Sequence, residues 1–138
     1  FFVLGVIHLI LGLPIGPELF YLVPVLVASI IFALGTAILT SILNVYFRDT
    51  RNFLPYFTRA WLYLSPVLYT VEQLKPALKP ISYLNPLYTF IGAWTDILIS
   101  GAAPTVANFV TMFSWAFALL LIAVFLFMRR EREFALRI

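Results

Sequence analysis

From Phe20 to Leu43 the chain carries no charged side chain. As a helix rising 1.5 Å per residue, this stretch is about 36 Å long, enough to cross a ~30 Å hydrocarbon core with some tilt. A second uncharged run, Thr105 to Met128, has the same reach. Of the 138 residues, 63% are hydrophobic and 11% charged, too few polar side chains to cover a soluble globule of this size. The fold class expected is therefore an all-α integral membrane protein, a helical bundle.

The loop after the first long run fixes the orientation. Arg48, Asp49 and Arg51 fall within four residues of a chain where charge is scarce. Cytoplasmic loops carry the excess of Lys and Arg, because cations beside a membrane end resist translocation and are held by anionic headgroups. Arg48, Asp49 and Arg51 are accordingly expected on the cytoplasmic side. Four of the nine basic residues, Arg129, Arg130, Arg132 and Arg137, lie in the last ten positions, interleaved with Glu131 and Glu133. With a net charge of +3, this is a flanking tail or a docking surface for a cytoplasmic partner, and no nucleic-acid surface is expected.

The remaining segments follow in order. Phe1 to Leu13 is apolar but too short to span, and is expected to be the end of a helix cut from a longer protein. The chain opens on Phe1 with no charged region before the apolar run, so no signal peptide is expected. His8 stands in that run without a second ligand-type residue at helical spacing. Pro14, Gly16 and Pro17 make a turn. Along the first full span, Ser29, Ala33, Thr36, Ala37, Thr40 and Asn44 form a small, weakly polar face suited to close helix packing. Residues 52–70 are expected to form the next span, running outward. There Asn52, Tyr56, Arg59, Tyr63, Pro66 and Thr70 recur at steps of three and four and share one helical face. Arg59, about two turns in, costs ~2.5–3.5 kcal/mol at a helix centre unless it snorkels. Two readings stand: a polar and aromatic stripe turned away from lipid, or an arginine reaching headgroups beside interfacial tyrosines.

Residues 71–100 decide the topology. Glu72, Lys75, Lys79, Pro76 and Pro80 mark an outer connection, Asn85-Pro86 starts a helix and Gly101 stops it. That helix, about 22 Å long, is shorter than the hydrocarbon core and contains Asp96. If it crossed, the two arginine clusters would lie on opposite sides of the membrane. If it dips in from the outer face and returns, both are cytoplasmic, so a re-entrant outer hairpin over 71–100 is expected. The chain is thus divided into spans at about 1–13 (partial), 20–44, 52–70 and 105–128, within one membrane domain.

Several chemistries are excluded. There is no cysteine, hence no disulfide or thiolate site. There is no GxxxxGK[ST] phosphate loop and no glycine-rich dinucleotide turn. No cluster of His and carboxylates offers a metal site, and no Ser, His and Asp set is available beyond His8. A helical bundle that conducts or moves something fits better than an enzyme.

The segments LNVYFRDTRNFLP, WLYLSPVLY and YLNPLYTFIGAW, followed by a last span and the charged end RREREFALRI, resemble the C-terminal half of the permease subunit of type 2 ABC transporters. The likeness is closest to the branch exporting lipid-linked polysaccharides such as O-antigen or teichoic acid, and its most specific motifs are Arg48-Asp49, Ser65-Pro66 and Tyr83-Leu84-Asn85-Pro86. The resemblance implies a six-span subunit of the bacterial cytoplasmic membrane, paired as a homodimer, with a cytoplasmic C-terminus. It implies a separate cytoplasmic ABC ATPase that binds ATP and Mg, with no cofactor in this chain. It implies a path for a lipid-linked glycan among membrane lipids, for which Tyr56, Arg59, Trp61 and Tyr63 are candidate lining residues. The outer gate would include Tyr83, Asn85, Pro86 and Asp96. A drug or lipid exporter of the same superfamily and a non-transporting membrane scaffold are the alternatives. An intramembrane transferase would need Asp96 and Arg59 to converge, and they are expected near opposite faces.

Overall fold

The computed structural model describes residues 16–47, 49–65 and 84–134, the last four by backbone only. The partial span with His8, Arg48, the connection through Tyr83, and the tail side chains from Glu131 onward lie outside the described residues. The described elements are all helical. A 3₁₀ turn, Pro17–Tyr21, leads into α1, Leu22–Tyr46. Then come α2, Thr50–Leu64, and α3, Pro86–Thr95, which continues as a π-helical turn, Asp96–Ser100. The last helix is α4, Val106–Phe134. Among the described residues, two helical stretches are long and apolar enough to cross a membrane: Pro17–Tyr46, with 30 residues, and Val106–Arg130, with 25.

These two helices form the main packing pair, and they run parallel. Tyr21 meets Phe109 near their N-terminal ends, with ring centroids 5.8 Å apart. At the far end the Arg130 guanidinium lies 5.5 Å from the centroid of the Tyr46 ring. Between these points the backbones come close at Gly35, where an added Cβ would sit 2.9 Å from the Leu120 amide nitrogen and 3.1 Å from the Leu119 carbonyl carbon. Only a residue without a side chain allows that approach, and in lipid, where apolar burial drives little association, such contact is what holds helices together. Ala28, Ala116 and Ala123 are fully buried along this pair.

The sequence places the small face of α1 elsewhere, at Ser29, Ala33, Thr36, Ala37, Thr40 and Asn44. The close backbone approach to α4 falls at Gly35, which is not one of those positions. Ala33, Ala37 and Asn44 are exposed, and the hydroxyls of Ser29, Thr36 and Thr40 donate back to the carbonyls of Val25, Phe32 and Thr36. Hydroxyls bonded one turn back satisfy themselves and need no neighbouring helix.

After Tyr46 the chain turns tightly. Phe47 is extended and its N–H closes on the Leu43 carbonyl at 2.8 Å, while Thr50 donates its hydroxyl to the same carbonyl at 3.2 Å. Helix α2 then climbs back along α1 until Trp61 packs against the core. Where the sequence predicts a span over 52–70, the described helix covers Thr50–Leu64, about 22 Å. It ends at Ser65, which takes extended backbone. From Arg51 to Ala60 every side chain of α2 is exposed.

Helix α3 packs against the N-terminal halves of α1 and α4. Phe90 packs on Phe32 with centroids 4.9 Å apart, and Ala93 and Ile97 join Val25, Ala28, Met112 and Ala116 in one buried cluster. The π turn touches the 3₁₀ turn at the head of α1. From Pro86 to Ser100 the element is about 22 Å long, so its N-terminus lies well down the side of α1 and its C-terminus is level with the start of α1. Gly101 ends it in a left-handed conformation, φ 60°, ψ 31°, which glycine adopts without strain.

Candidate functional site

Two features stand out where α1, α2 and α3 meet: a hydrogen-bonded node and, beside it, an open groove. The node centres on Asn85. Its side-chain oxygen accepts from the Leu87 amide at 3.1 Å, making it the N-cap of α3, with Pro86 at the first helical position. The same oxygen accepts from the indole N–H of Trp61 at 3.1 Å. Its amide nitrogen donates to the Ser65 hydroxyl at 2.9 Å and to the Leu64 carbonyl at 3.2 Å. Ser65, fully buried, donates in turn to the Trp61 carbonyl at 2.7 Å. One asparagine thus uses both lone pairs and both amide hydrogens, and it ties the end of α2 to the start of α3. With Ser65 fully buried and Asn85 half-buried, such full satisfaction spares the node the cost of an unpaired polar group.

The groove, about 870 Å³, opens between α1 and α2. The α1 wall is its small polar face: Ala37, Thr40, Ser41 and Asn44. The α2 wall comes from Arg51, Pro55, Thr58, Arg59 and Leu62, spaced by three or four or adjacent, and so on one side of the helix. Leu87 of α3 and Trp61 also line it, so the node forms part of its wall.

The candidate path residues divide. Arg59 and Trp61 line the groove. Tyr56 and Tyr63, at 69% and 63% exposure, are not among its lining residues. Of the loop residues, Arg51 turns into the groove, and Asp49 stands as N-cap of α2 without a side-chain capping bond. Of the gate residues, Asn85 and Pro86 form the head of α3, while Asp96 opens the π turn, half-buried and away from the groove. Arg59 and Asp96 therefore do not share a site. Residues 66–83, including Tyr83, lie outside the described residues.

Sequence reasoning missed the node itself and much of the groove lining, including Ser41, Leu54, Pro55, Thr58, Leu62 and Leu87. The signal for the node was present, since Ser65-Pro66 and Asn85-Pro86 each mark a helix boundary, but no periodicity joins positions twenty residues apart. Asn85 reads as an N-cap and, through the resemblance, as a gate residue, and neither role points to its bonds with Trp61 and Ser65.

Comparison of the sequence with known proteins points to a family. Two proteins from Klebsiella pneumoniae, both described as O-antigen export system permease protein RfbA, are 31% and 29% identical to the chain over 75 residues. Each alignment covers 54% of this chain and 29% of the relative, so it spans less than a third of either relative's length. The family profile described as ABC-2 type transporter matches residues 1–99. With most of its length matched by that profile, and with two membrane-length helices packed in parallel, this chain belongs to the ABC-2 type transporter family, a family of transporter membrane subunits.

Proposed function

We propose that this chain is the C-terminal part of a permease subunit that moves a lipid-linked polysaccharide outward across the bacterial cytoplasmic membrane. The observation that carries the reading is the pair of O-antigen export permeases among its relatives, together with the family itself. In this reading the work comes from a cytoplasmic ABC ATPase partner that binds ATP and Mg, and two copies of the permease enclose the path.

The geometry supports an inside and an outside. With α1 and α4 parallel, the Asp49–Arg51 loop and Arg129–Arg130 lie at the same end of the bundle. Since Lys and Arg mark the cytoplasmic side, we take that end, and the C-terminus with it, as cytoplasmic. Helix α3 then occupies the outer half alone, its half-buried N-terminus part-way down the bundle and its C-terminus at the outer surface. This supports the re-entrant reading of 71–100 and a gating role for Asn85, Pro86 and Asp96. A glycan offers hydroxyls and apolar ring faces, which polar side chains and aromatic rings both recognise. Trp61 and Arg59 in the groove suit that chemistry, while Tyr56 and Tyr63 are exposed for a neighbouring helix or a second copy.

The test is to purify the full-length permease with its ATPase, reconstitute the complex in vesicles, and follow both ATP hydrolysis and the arrival of lipid-linked glycans on the far side. Transport of a polysaccharide with stimulated hydrolysis is the expected result. Movement of small lipids or drugs alone would replace the substrate assignment, and the absence of any bound ATPase would remove the exporter reading.

A further inference from the structure

We propose that Ser65 and Asn85 are positioning residues for gating: through them the head of α3 follows the end of α2 when the transporter changes state. The inference rests on the proposed function for the existence of a gate, and adds how that gate is held.

Of the four hydrogen bonds of the Asn85 side chain, one caps α3 and three go to α2. The capping bond comes from the Leu87 amide, and the others join Trp61, Leu64 and Ser65. The end of a helix leaves its last carbonyls without intrahelical partners, and the start of a helix does the same to its first amides. Here one side chain serves both ends, accepting from the Leu87 amide of α3 and donating to the Leu64 carbonyl of α2. Ser65 grips the asparagine from the side of α2: fully buried, it accepts from the Asn85 amide and donates to the Trp61 carbonyl. A cap alone needs none of the three bonds to α2, since a serine or an aspartate would supply it.

The attachments of α3 differ in kind along its length. Past its first turn it meets α1 and α4 through apolar side chains, among them the Phe90–Phe32 pair and Ala93, in a cluster with Ala28 and Ala116. Apolar contact has no preferred direction, so such surfaces can slide. Hydrogen bonds fix distance and angle. The head of α3 is therefore held to α2 in register, whereas its body rests on the long pair. Helix α2 is in turn fastened near its two ends. At its start the Thr50 hydroxyl bonds to the Leu43 carbonyl, and at its finish stands the node. Between them the side chains from Arg51 to Ala60 are exposed, and the groove separates α2 from α1. A displacement of the turn after α1 thus reaches α3 at Asn85.

The test separates the join from the cap. Asn85→Ser keeps a capping hydroxyl at the head of α3, but one short hydroxyl cannot also serve Trp61, Leu64 and Ser65. Ser65→Ala keeps the cap and removes the buried hydroxyl. Both variants, with Asn85→Ala for comparison, are made in the full-length permease, purified with its ATPase and reconstituted in vesicles. The readout is substrate moved per ATP hydrolysed. Expected is a fall of about tenfold in that ratio for Asn85→Ser and for Ser65→Ala, while amide exchange along α3 stays as slow in Asn85→Ser as in wild type. Melting temperatures identify a variant that fails to fold, and the other then decides. A ratio equal to wild type in the folded variants, with only the melting temperature lowered, would overturn the inference. So would a ratio lost in Asn85→Ala and kept in Asn85→Ser, the pattern of a cap without a join. If the wild-type complex moves small lipids or drugs and no glycan, the polysaccharide reading falls, and the ratio for that substrate still decides the join.

Discussion

The indole nitrogen of Trp61 donates to the side-chain oxygen of Asn85 across 3.1 Å, joining two helices whose connecting chain is some twenty residues long. The same oxygen caps α3, so the join and the cap are one interaction seen from two helices. Replacing Asn85 by Ala removes the cap, worth about 0.5–2 kcal/mol, and leaves the Trp61 N–H without its partner at about 1–3 kcal/mol more. Asn85→Asp keeps the acceptor toward Leu87 and Trp61 but loses both donated bonds, and should fall between Ala and wild type. Thermal unfolding of the purified complex in detergent checks the order wild type, Asp, Ala.

Gly35 should tolerate nothing larger. A methyl group there meets backbone atoms of α4 rather than a side chain that can swing aside. Gly35→Ala is expected to cost about 1–3 kcal/mol by forcing the two helices apart, and Gly35→Leu to prevent assembly. Ala33→Leu, at an exposed position of the same helix, is the matched control and should be nearly silent. Melting temperatures of the three variants settle the comparison.

The parallel arrangement of α1 and α4 predicts a labelling pattern. The chain contains no cysteine, so single cysteines introduced here report cleanly once any others in the full-length protein are removed. Asp49→Cys and Arg129→Cys should react with a membrane-impermeant maleimide from one and the same side, and Ser100→Cys and Ala103→Cys from the other. Opposite sidedness of Asp49→Cys and Arg129→Cys would refute the parallel packing.

The Tyr46–Arg130 contact should matter little energetically. The guanidinium lies over the ring and within 3.5 Å of the phenol oxygen, at a surface-exposed site. Arg130→Ala is expected to lower stability by no more than about 1 kcal/mol, measured as a shift in denaturation midpoint, with Arg130→Lys retaining part of it.

The sequence made the long helices legible because a charge-free run of membrane length has few alternatives, and Asn85-Pro86 and Gly101 bracketed α3 because caps are local chemistry. Sites built by packing were less legible. The small face of α1 reads as a contact surface; its threonines bond to their own helix, and the closest backbone approach to α4 falls on the neighbouring Gly35. The stripe through Tyr56, Arg59 and Tyr63 is a true helical face, but the groove opens on a face rotated from it, sharing Arg59 and adding Arg51, Thr58 and Leu62. Periodicity identifies which residues share a face and leaves open which neighbour that face meets.

The close approach at Gly35 also sets the geometry of any rocking between the two long helices. Two rods whose backbones come closest at one place would, if rocked, tilt about that place as a fulcrum. The aromatic pair Tyr21–Phe109 is about 21 Å to one side of it and Tyr46–Arg130 about 16 Å to the other. Each degree of rocking would therefore displace the Tyr21 end by about 0.4 Å and the Tyr46 end by about 0.3 Å in the opposite sense. A push delivered beside Tyr46 is thus geometrically a pull beside Tyr21, where the π turn of α3 rests.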